Sequence, residues 1–411
     1  MGSQTSTNNE RTHGSVNNNI ITDLYQACSQ GNYEFVLQLL ESSSFEAINR
    51  LEANGSTALH VAVEKGYTNI VALLLDTYGI MRHLTNRDGR TAFELARTNE
   101  MRRLFQRPSS SGNRFYGDDS FVAMFTAVLK NKKQNYNQQT SSERVQRYET
   151  LEDLRHHQIY EVQGQYWKEV INGFKSFTFQ QPEESIRQQQ ASELQSLVDQ
   201  YIRSSHQQYA KANELANSFR TKGEVESLIR LYTLETPFYR YINSGKESSA
   251  KLALPLMRSM ASVRDRAFTG ICYRGLSMTK QDLKAYERAK QNKDQCLETN
   301  TFCSTTTDIA QAIFYAEANE NGQRQKALMV FEFPTSCETA IRLEKISDEL
   351  PCLSDFEDEK EILVMPGVLF SVTEIQETKS LTTIHLTHLY NEHDVQVYWE
   401  LYDDILNTLE Y

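Results

Sequence analysis

Three short motifs in the second half of the chain combine an arginine, hydroxyl side chains and carboxylates. They are Tyr273–Gly275 at the end of a strand-like run, Phe302–Thr306, and Glu359–Leu363. An arginine binds phosphate groups through its planar fork of donors, and a fixed carboxylate stabilises positive charge that develops in a transition state. Each motif alone is more often an exposed strand edge, a turn or solvated charge. Their joint occurrence in this order is what indicates a site for chemistry.

Together these motifs resemble the active-site motifs of the arginine-specific mono-ADP-ribosyltransferases, which use a strand arginine, a Ser-Thr-Ser segment and Glu-x-Glu. Ahead of them, Leu228–Asn243 is similar to the helical lead-in of that family, and the resemblance spans roughly residues 178–387. Ser304 keeps the first serine of the family motif, whereas Thr306 replaces the second. The resemblance implies an enzyme that transfers ADP-ribose from NAD⁺ to arginine side chains of target proteins.

The same resemblance assigns roles to individual residues. Breaking the bond between nicotinamide and ribose builds positive charge on the ribose, so a fixed anion is needed beside it. This anion is expected to be Glu361, hydrogen-bonded to a ribose hydroxyl, with Ser304 holding Glu361 in place. Arg274 is expected to bind the pyrophosphate, because a chain of net charge −11 must supply that cation locally. NAD⁺ is therefore the expected co-substrate, and no metal is expected.

Three further residues are expected close to the nicotinamide. Gly275 would allow the backbone to approach the ring, since glycine has no β-carbon. Phe314 or Tyr315, on a helix after the second motif, would stack on the nicotinamide. The alternative is that both aromatic residues belong to the core of that helix.

Glu359 separates the transferase from its nearest alternative. Residues two apart on an extended strand point to the same face, so Glu359 would share a cleft with Glu361 and lie nearer the entrance. There it would orient an acceptor arginine. An NAD⁺ glycohydrolase has no such need, and it is the first alternative. An ankyrin scaffold with a decayed transferase fold is the second, although it does not explain the retention of Arg274, Ser304 and Glu361.

The region before Glu361 is rich in acidic residues, which gives two interpretations. One is a solvated loop, and the other is a negative mouth that attracts a guanidinium-bearing acceptor. The residues concerned are Asp348, Glu349, Asp355, Glu357, Asp358 and Glu359.

Near the start of the chain, a repeat resembles the ankyrin repeat. Gly55 and Gly89 are 34 residues apart (89 − 55), while Gly31 precedes Gly66 by 35 (66 − 31). In such repeats the glycine supplies a turn and pairs of helices stack on their neighbours. The sequence therefore predicts about three repeats over residues 20–105, with His60 as a hydrogen-bonding turn residue. Solenoids of this kind bind protein partners, so recruitment of a protein is expected.

The whole chain is predicted to be α+β: an all-α ankyrin solenoid, a helical segment, and a split β-sandwich with helices. Residues 106–117 have linker composition, and residues 118–177 contain apolar helical patterns such as SFVAMFTAVLK. The predicted catalytic domain covers residues 178–390, with a tail at 391–411. Leu194, Leu197, Val198, Tyr201 and Ile202 are spaced to form one face of a helix.

Composition and charge set the remaining expectations. The net charge of −11 argues against a nucleic-acid partner. The polar leader is no secretory signal, so the six cysteines are expected to be reduced in a cytoplasmic protein. Met1-Gly2 followed by Ser6 fits the N-myristoylation pattern, and membrane contact is expected only if Gly2 is acylated.

Overall fold

The computed structural model describes residues 22–77, 79–107, 124–129, 183–244, 260–292, 295–318 and 324–389, with a few positions between 248 and 256. The chain divides into two units, Met1–Leu104 and Phe105–Tyr411. The acylation motif at Gly2, most of the predicted connecting region 118–177 and the tail 391–411 lie outside the described residues.

Within the first unit the described elements are helices, arranged as successive pairs. α1 packs on α4, α2 on α5, and α4 on α6. The helices are α1 (Asp23–Gln30), α2 (Tyr33–Ser42), α3 (Phe45–Ile48), α4 (Ala58–Lys65), α5 (Thr68–Leu75), α6 (Ala92–Leu95) and α7 (Asn99–Arg103). The helix pairs predicted from the repeat spacing are therefore confirmed.

Local hydrogen bonds explain why the helices start where they do. The Thr57 side chain caps α4 by accepting a hydrogen bond from His60 N. In turn, the ring Nδ1 of His60 accepts a hydrogen bond from Thr57 N at 3.2 Å. The other ring nitrogen, Nε2, lies 3.1 Å from Arg90 O in the next repeat. In the third repeat Glu94 stands at the position of the histidine. Its side chain accepts a hydrogen bond from Thr91 N, and the Thr91 side chain accepts one from Glu94 N. The predicted turn role of His60 is confirmed.

The described strands of the second unit form one eight-stranded sheet. Its order is β1-β3-β7-β8-β5-β2-β4-β6, and only β5 and β8 run parallel. The end of β5 also pairs with β6, so β5, β2, β4 and β6 close on one another, and these four strands form what is called here the corner of the sheet. The strands are β1 (Phe125–Leu129), β2 (Ala267–Met278), β3 (Gln295–Thr299), β4 (Cys303–Thr306), β5 (Gln325–Arg342), β6 (Glu361–Val364), β7 (Leu369–Glu377) and β8 (Thr382–His388).

Helices of the second unit support this corner. Leu194, Leu197 and Val198 lie buried on one face of α8, as their spacing predicts. Among the described helices none has the length and apolar character to cross a membrane. The helices are α8 (Glu183–Tyr201), α9 (Tyr209–Lys222), α10 (Val225–Thr233), α11 (Phe238–Ile242), α12 (Met260–Val263), α13 (Lys280–Gln291) and α14 (Ile309–Ala318).

One predicted helical segment is a strand. Within SFVAMFTAVLK, residues Phe125–Leu129 form β1, which pairs antiparallel with β3 from Phe125↔Thr299 to Leu129↔Gln295. The helix prediction was wrong here because a short apolar run fits both helical and strand periods. Pairing with β3 decides between them, so the sheet takes a strand from the predicted connecting region.

Candidate active site

Arg274 lies buried on β2, between β5 and β4 in the sheet. Its Nη1 donates a hydrogen bond to the backbone oxygen of Ser304 on β4, at 2.8 Å. The side chain is thereby held across two strands, and only 7% of the residue is exposed. The structure brings the first two predicted motifs into direct contact.

The third motif joins them through the pairing of β4 with β6. In this register Thr306 stands opposite Glu361 and Ser304 opposite Leu363, so Ser304 is diagonal to Glu361. Both Ser304 and Glu361 are buried. Arg274, Ser304 and Glu361 therefore come from three adjacent strands at one corner of the sheet.

The hydroxyls of the second motif have different surroundings. Ser304 Oγ is buried and forms no hydrogen bond within the part of the chain that the structure describes, so the expected bond to Glu361 is not formed. Thr305 Oγ1 donates to Ile362 O at 2.9 Å, and Thr306 Oγ1 accepts from Asp308 N at 3.0 Å. Thr306, which differs from the serine of the motif that the sequence resembles, thus stabilises the turn into α14.

Replacement of Ser304 by alanine should separate function from stability. Removing a buried hydroxyl that has no partner is expected to leave the free energy of unfolding unchanged or slightly higher. If Ser304 acts on Glu361 or on the co-substrate, turnover should still fall. The matched control is Thr305→Val, which breaks the bond to Ile362 O and should cost about 1 kcal/mol of stability. Unfolding curves and turnover measured on both variants check this, and unchanged turnover in Ser304→Ala would remove Ser304 from the site.

Gly275 is a position of close helix packing. A β-carbon placed there would lie 1.6 Å from the carbonyl oxygen of Ala312 on α14. The structure therefore gives a reason for glycine that differs from the predicted approach of the nicotinamide: α14 rests directly on β2.

Gly275→Ala is consequently expected to destabilise the protein. Either the strand or the helix backbone must move, and overpacking of this kind costs about 1–3 kcal/mol or more. Chemical denaturation of the full chain measures the loss. An unchanged unfolding midpoint would show that α14 is not packed on β2 in this way.

Of the two aromatic residues on α14, one is buried and one is exposed. Tyr315 is 5% exposed, and its hydroxyl donates to Glu359 Oε1 at 3.2 Å. Burial, and then the charge of Glu359, raise the pKa of Tyr315 well above its usual range, so the phenol keeps the proton that it donates. Phe314 is 52% exposed and is no core residue. Phe314 remains the candidate for stacking, while Tyr315 contacts the Glu-x-Glu motif.

Glu359 does not lie on a strand, which corrects the geometry expected from the sequence. It ends a 3₁₀ turn (Glu357–Glu359), and Lys360 adopts the left-handed conformation with φ 44° before β6 begins at Glu361. The rule that residues two apart share a face of a strand therefore does not apply. The reversal at Lys360 sets the direction of Glu359 instead.

Arg107 is the principal partner of Glu359. Its Nε donates to Glu359 Oε1 at 2.7 Å and its Nη2 to Oε2 at 3.1 Å, so the two groups form a bidentate pair. Both residues are buried. Burial alone would lower the pKa of Arg107, but Glu359 and then Glu235 raise it overall, and the guanidinium stays charged.

Much of the predicted acidic region is anchored rather than solvated. Asp355 forms a buried ion pair with Lys211 on α9, and Asp355 N donates to Thr233 Oγ1 at 3.0 Å. Arg230 on α10 donates to Cys352 O at 2.7 Å. Asp348, in contrast, is exposed and pairs with Lys345 at 2.9 Å. The helical lead-in thus fixes the segment that carries Glu359.

The residues missed by sequence reasoning are the cations of this region. Arg107 lies 252 positions from Glu359, within a segment of linker composition, and no local pattern marks it. Lys211 and Arg230 are spaced like ordinary surface residues of amphipathic helices. A buried acidic loop needs cations nearby, but the sequence does not say which ones.

Comparison with known proteins gives one family and several distant structures. Residues 24–106 match the family model described as ankyrin repeats, in three copies. The first unit is accordingly an ankyrin-repeat array, and the α+β organisation predicted for the chain is confirmed. No protein of curated function matches the sequence.

Similar solved structures include two described as ADP-ribosyltransferases and one solved with NAD. The ADP-ribosyltransferase Vis of Vibrio splendidus, in complex with agmatine, is 18% identical, with 53% of this chain and 89% of Vis covered and a TM-score of 0.25. HopU1 of Pseudomonas syringae pv. tomato is 15% identical, with 48% and 87% covered and a TM-score of 0.31. C3stau2 of S. aureus, solved with NAD, is 14% identical, with 44% and 96% covered and a TM-score of 0.28. The similarity is distant, so function must be inferred from the site itself.

Proposed function

We propose that the second unit is an ADP-ribosyltransferase that uses NAD⁺ as co-substrate and arginine side chains of proteins as acceptors. The main support is the arrangement of β2, β4 and β6, which puts Arg274, Ser304 and Glu361 at one corner of the sheet. These are the residues that the motif resemblance assigns to NAD⁺. The ankyrin repeats would recruit a protein that carries the acceptor.

In the proposed reaction the bond between the ribose carbon and the nicotinamide nitrogen breaks, and its electron pair leaves with nicotinamide. Glu361 faces the positive charge that develops on the ribose, and burial keeps water from screening that carboxylate. Arg274 binds the pyrophosphate. A guanidine nitrogen of the acceptor then bonds to the ribose carbon and gives its proton to Glu359.

An acceptor arginine is protonated and a poor nucleophile, so it needs a carboxylate that orients it. Glu359 already binds a guanidinium through two hydrogen bonds, which supports an arginine acceptor over water. The NAD⁺ glycohydrolase remains the second candidate, because it would use the same Arg274, Ser304 and Glu361 with water as the acceptor.

Arg274→Lys is expected to weaken NAD⁺ binding without unfolding the protein. Lysine keeps the charge but loses the planar fork, and one lost charge-assisted hydrogen bond weakens binding about tenfold to a hundredfold. Titration calorimetry with NAD⁺ measures the loss. The control is Arg264→Lys, an arginine whose side chain is 55% exposed, shortly before β2, and it should bind NAD⁺ normally. Equal affinities of the two variants would place the nucleotide elsewhere.

The proposed function is tested by the dependence of nicotinamide release on an acceptor. The full chain is incubated with NAD⁺ while argininamide, a small guanidine, is varied. A transferase should release nicotinamide faster as argininamide increases. Release at a constant rate with free ADP-ribose as the product would favour the glycohydrolase, and no release at any concentration would favour the inactive scaffold.

A further inference from the structure

The guanidinium of Arg107 occupies a fully formed binding site in the second unit. Besides the bidentate pair with Glu359, its Nη1 donates to Glu235 Oε2 at 2.7 Å and its Nη2 to Thr233 O at 3.2 Å. Its central carbon lies 3.7 Å from the centre of the Phe356 ring. The side chain is 1% exposed. Four hydrogen bonds and an aromatic face are the contacts by which proteins recognise a guanidinium group.

This site includes the carboxylate that the proposed function gives to the acceptor. Glu359 cannot hold Arg107 and an acceptor guanidinium in the same two hydrogen bonds. We propose that Glu359, Glu235, Thr233 O and Phe356 form the acceptor site, and that Arg107 is an internal guanidinium which the acceptor must displace. The inference rests on the proposed function, and it adds Glu235 and Phe356 as residues that bind the acceptor.

Arg107 lies close to the end of the ankyrin repeats in the sequence, which is consistent with a side chain that competes with an acceptor brought by the repeats. It follows closely on α7, the last described helix of the repeats, which ends at Arg103. Arg107 is linked through the chain to the site that it fills, so it competes with a free acceptor at an effective concentration on the order of millimolar. A free guanidine must therefore reach a comparable concentration before it fills the site, whereas an acceptor concentrated by the repeats competes on better terms.

A purely structural role for Arg107 predicts the opposite behaviour. If Arg107 only holds Glu359 in place, its loss leaves a buried carboxylate without its cation, and transfer should fall. If Arg107 occupies the acceptor site, its loss should instead help small acceptors. The two interpretations differ in the sign of the effect.

Binding can be tested without activity. Arg107→Ala opens a space shaped for a guanidinium, so millimolar ethylguanidinium should raise the melting temperature of this variant but not that of the unchanged protein. Ethylammonium has the same charge without the fork and should have little effect. Adding Glu235→Gln to Arg107→Ala should weaken the stabilisation. Equal effects of the two cations, or none from either, would overturn the assignment of the site.

Kinetics then test the competition. In Arg107→Ala the KM for argininamide should fall by about tenfold. Arg107→Lys, which keeps a positive charge beside both carboxylates, should give a smaller fall and guards against misfolding of the alanine variant. A KM that stays the same or rises in both variants would overturn the proposal. Specific ethylguanidinium binding with no transfer in any variant would instead refute the proposed function while the guanidinium site stands.

Discussion

Replacing Glu361 with glutamine is expected to lower both arginine transfer and NAD⁺ cleavage by about 10² to 10³, the usual cost of a lost preorganised electrostatic partner. Glutamine keeps the size of the side chain and most of its hydrogen bonding, but it removes the negative charge that the proposed function places beside the ribose. Both activities should fall together, because both pass through the same cleavage of the nicotinamide bond. Rates of nicotinamide release and of adduct formation measure the effect.

The control for Glu361 is Glu349→Gln, which neutralises an exposed carboxylate earlier in the same acidic region. This variant should keep both activities, since an exposed charge is screened by water. Near-normal cleavage by Glu361→Gln would show that another group stabilises the ribose. Parallel losses in the two variants would indicate an effect of overall charge.

Glu359→Gln is expected to abolish transfer to arginine while NAD⁺ cleavage largely persists. The neutral amide can neither balance the charge of an acceptor guanidinium nor take its proton. Water needs little help to capture the ribosyl cation, so nicotinamide release continues. The ratio of ADP-ribosyl adduct to free ADP-ribose is the measurement.

Because Glu359 also pairs with Arg107, this variant needs a control for folding. Breaking one side of a buried ion pair costs about 3–5 kcal/mol, whereas replacing both partners is often tolerated. The double variant Arg107→Met with Glu359→Gln should therefore recover part of the stability, although Glu235 loses its cation, and should still fail to modify arginine. Unchanged transfer would mean that Glu359 plays no part in binding the acceptor. Equal loss of transfer and cleavage in the double variant would place Glu359 in the NAD⁺ site, and arginine preference would have to be withdrawn.

Residue types with specific chemistry could be predicted from the sequence, but their long-range partners could not. The structure brings Arg274, Ser304 and Glu361 to three adjacent strands, while their roles toward NAD⁺ stay a prediction from the order of the motifs. The surroundings of Glu359 were not predictable, since they depend on a left-handed Lys360 and on Arg107. Neither the left-handed conformation of Lys360 nor the contact with Arg107 can be predicted from the types and spacing of the residues around Glu359.

The fold shows the same division between local and distant causes. The repeat period predicted the helix pairs of the first unit, because each pair is stabilised by turns and caps within the repeat, as at His60. The strand Phe125–Leu129 was predicted as helix, because only its pairing with β3 settles the conformation of a short apolar run. Gly275 likewise gained a packing role from α14, which sequence alone does not place on β2.

The chemical identity of the reaction product tests the proposed function. The full chain is incubated with NAD⁺ and saturating argininamide, and the products are identified by mass spectrometry with fragmentation. The proposed function predicts ADP-ribose attached to a guanidine nitrogen of argininamide, formed in step with free nicotinamide and at lower argininamide concentrations in Arg107→Ala. Free ADP-ribose with no adduct, in both the unchanged protein and Arg107→Ala, would contradict it.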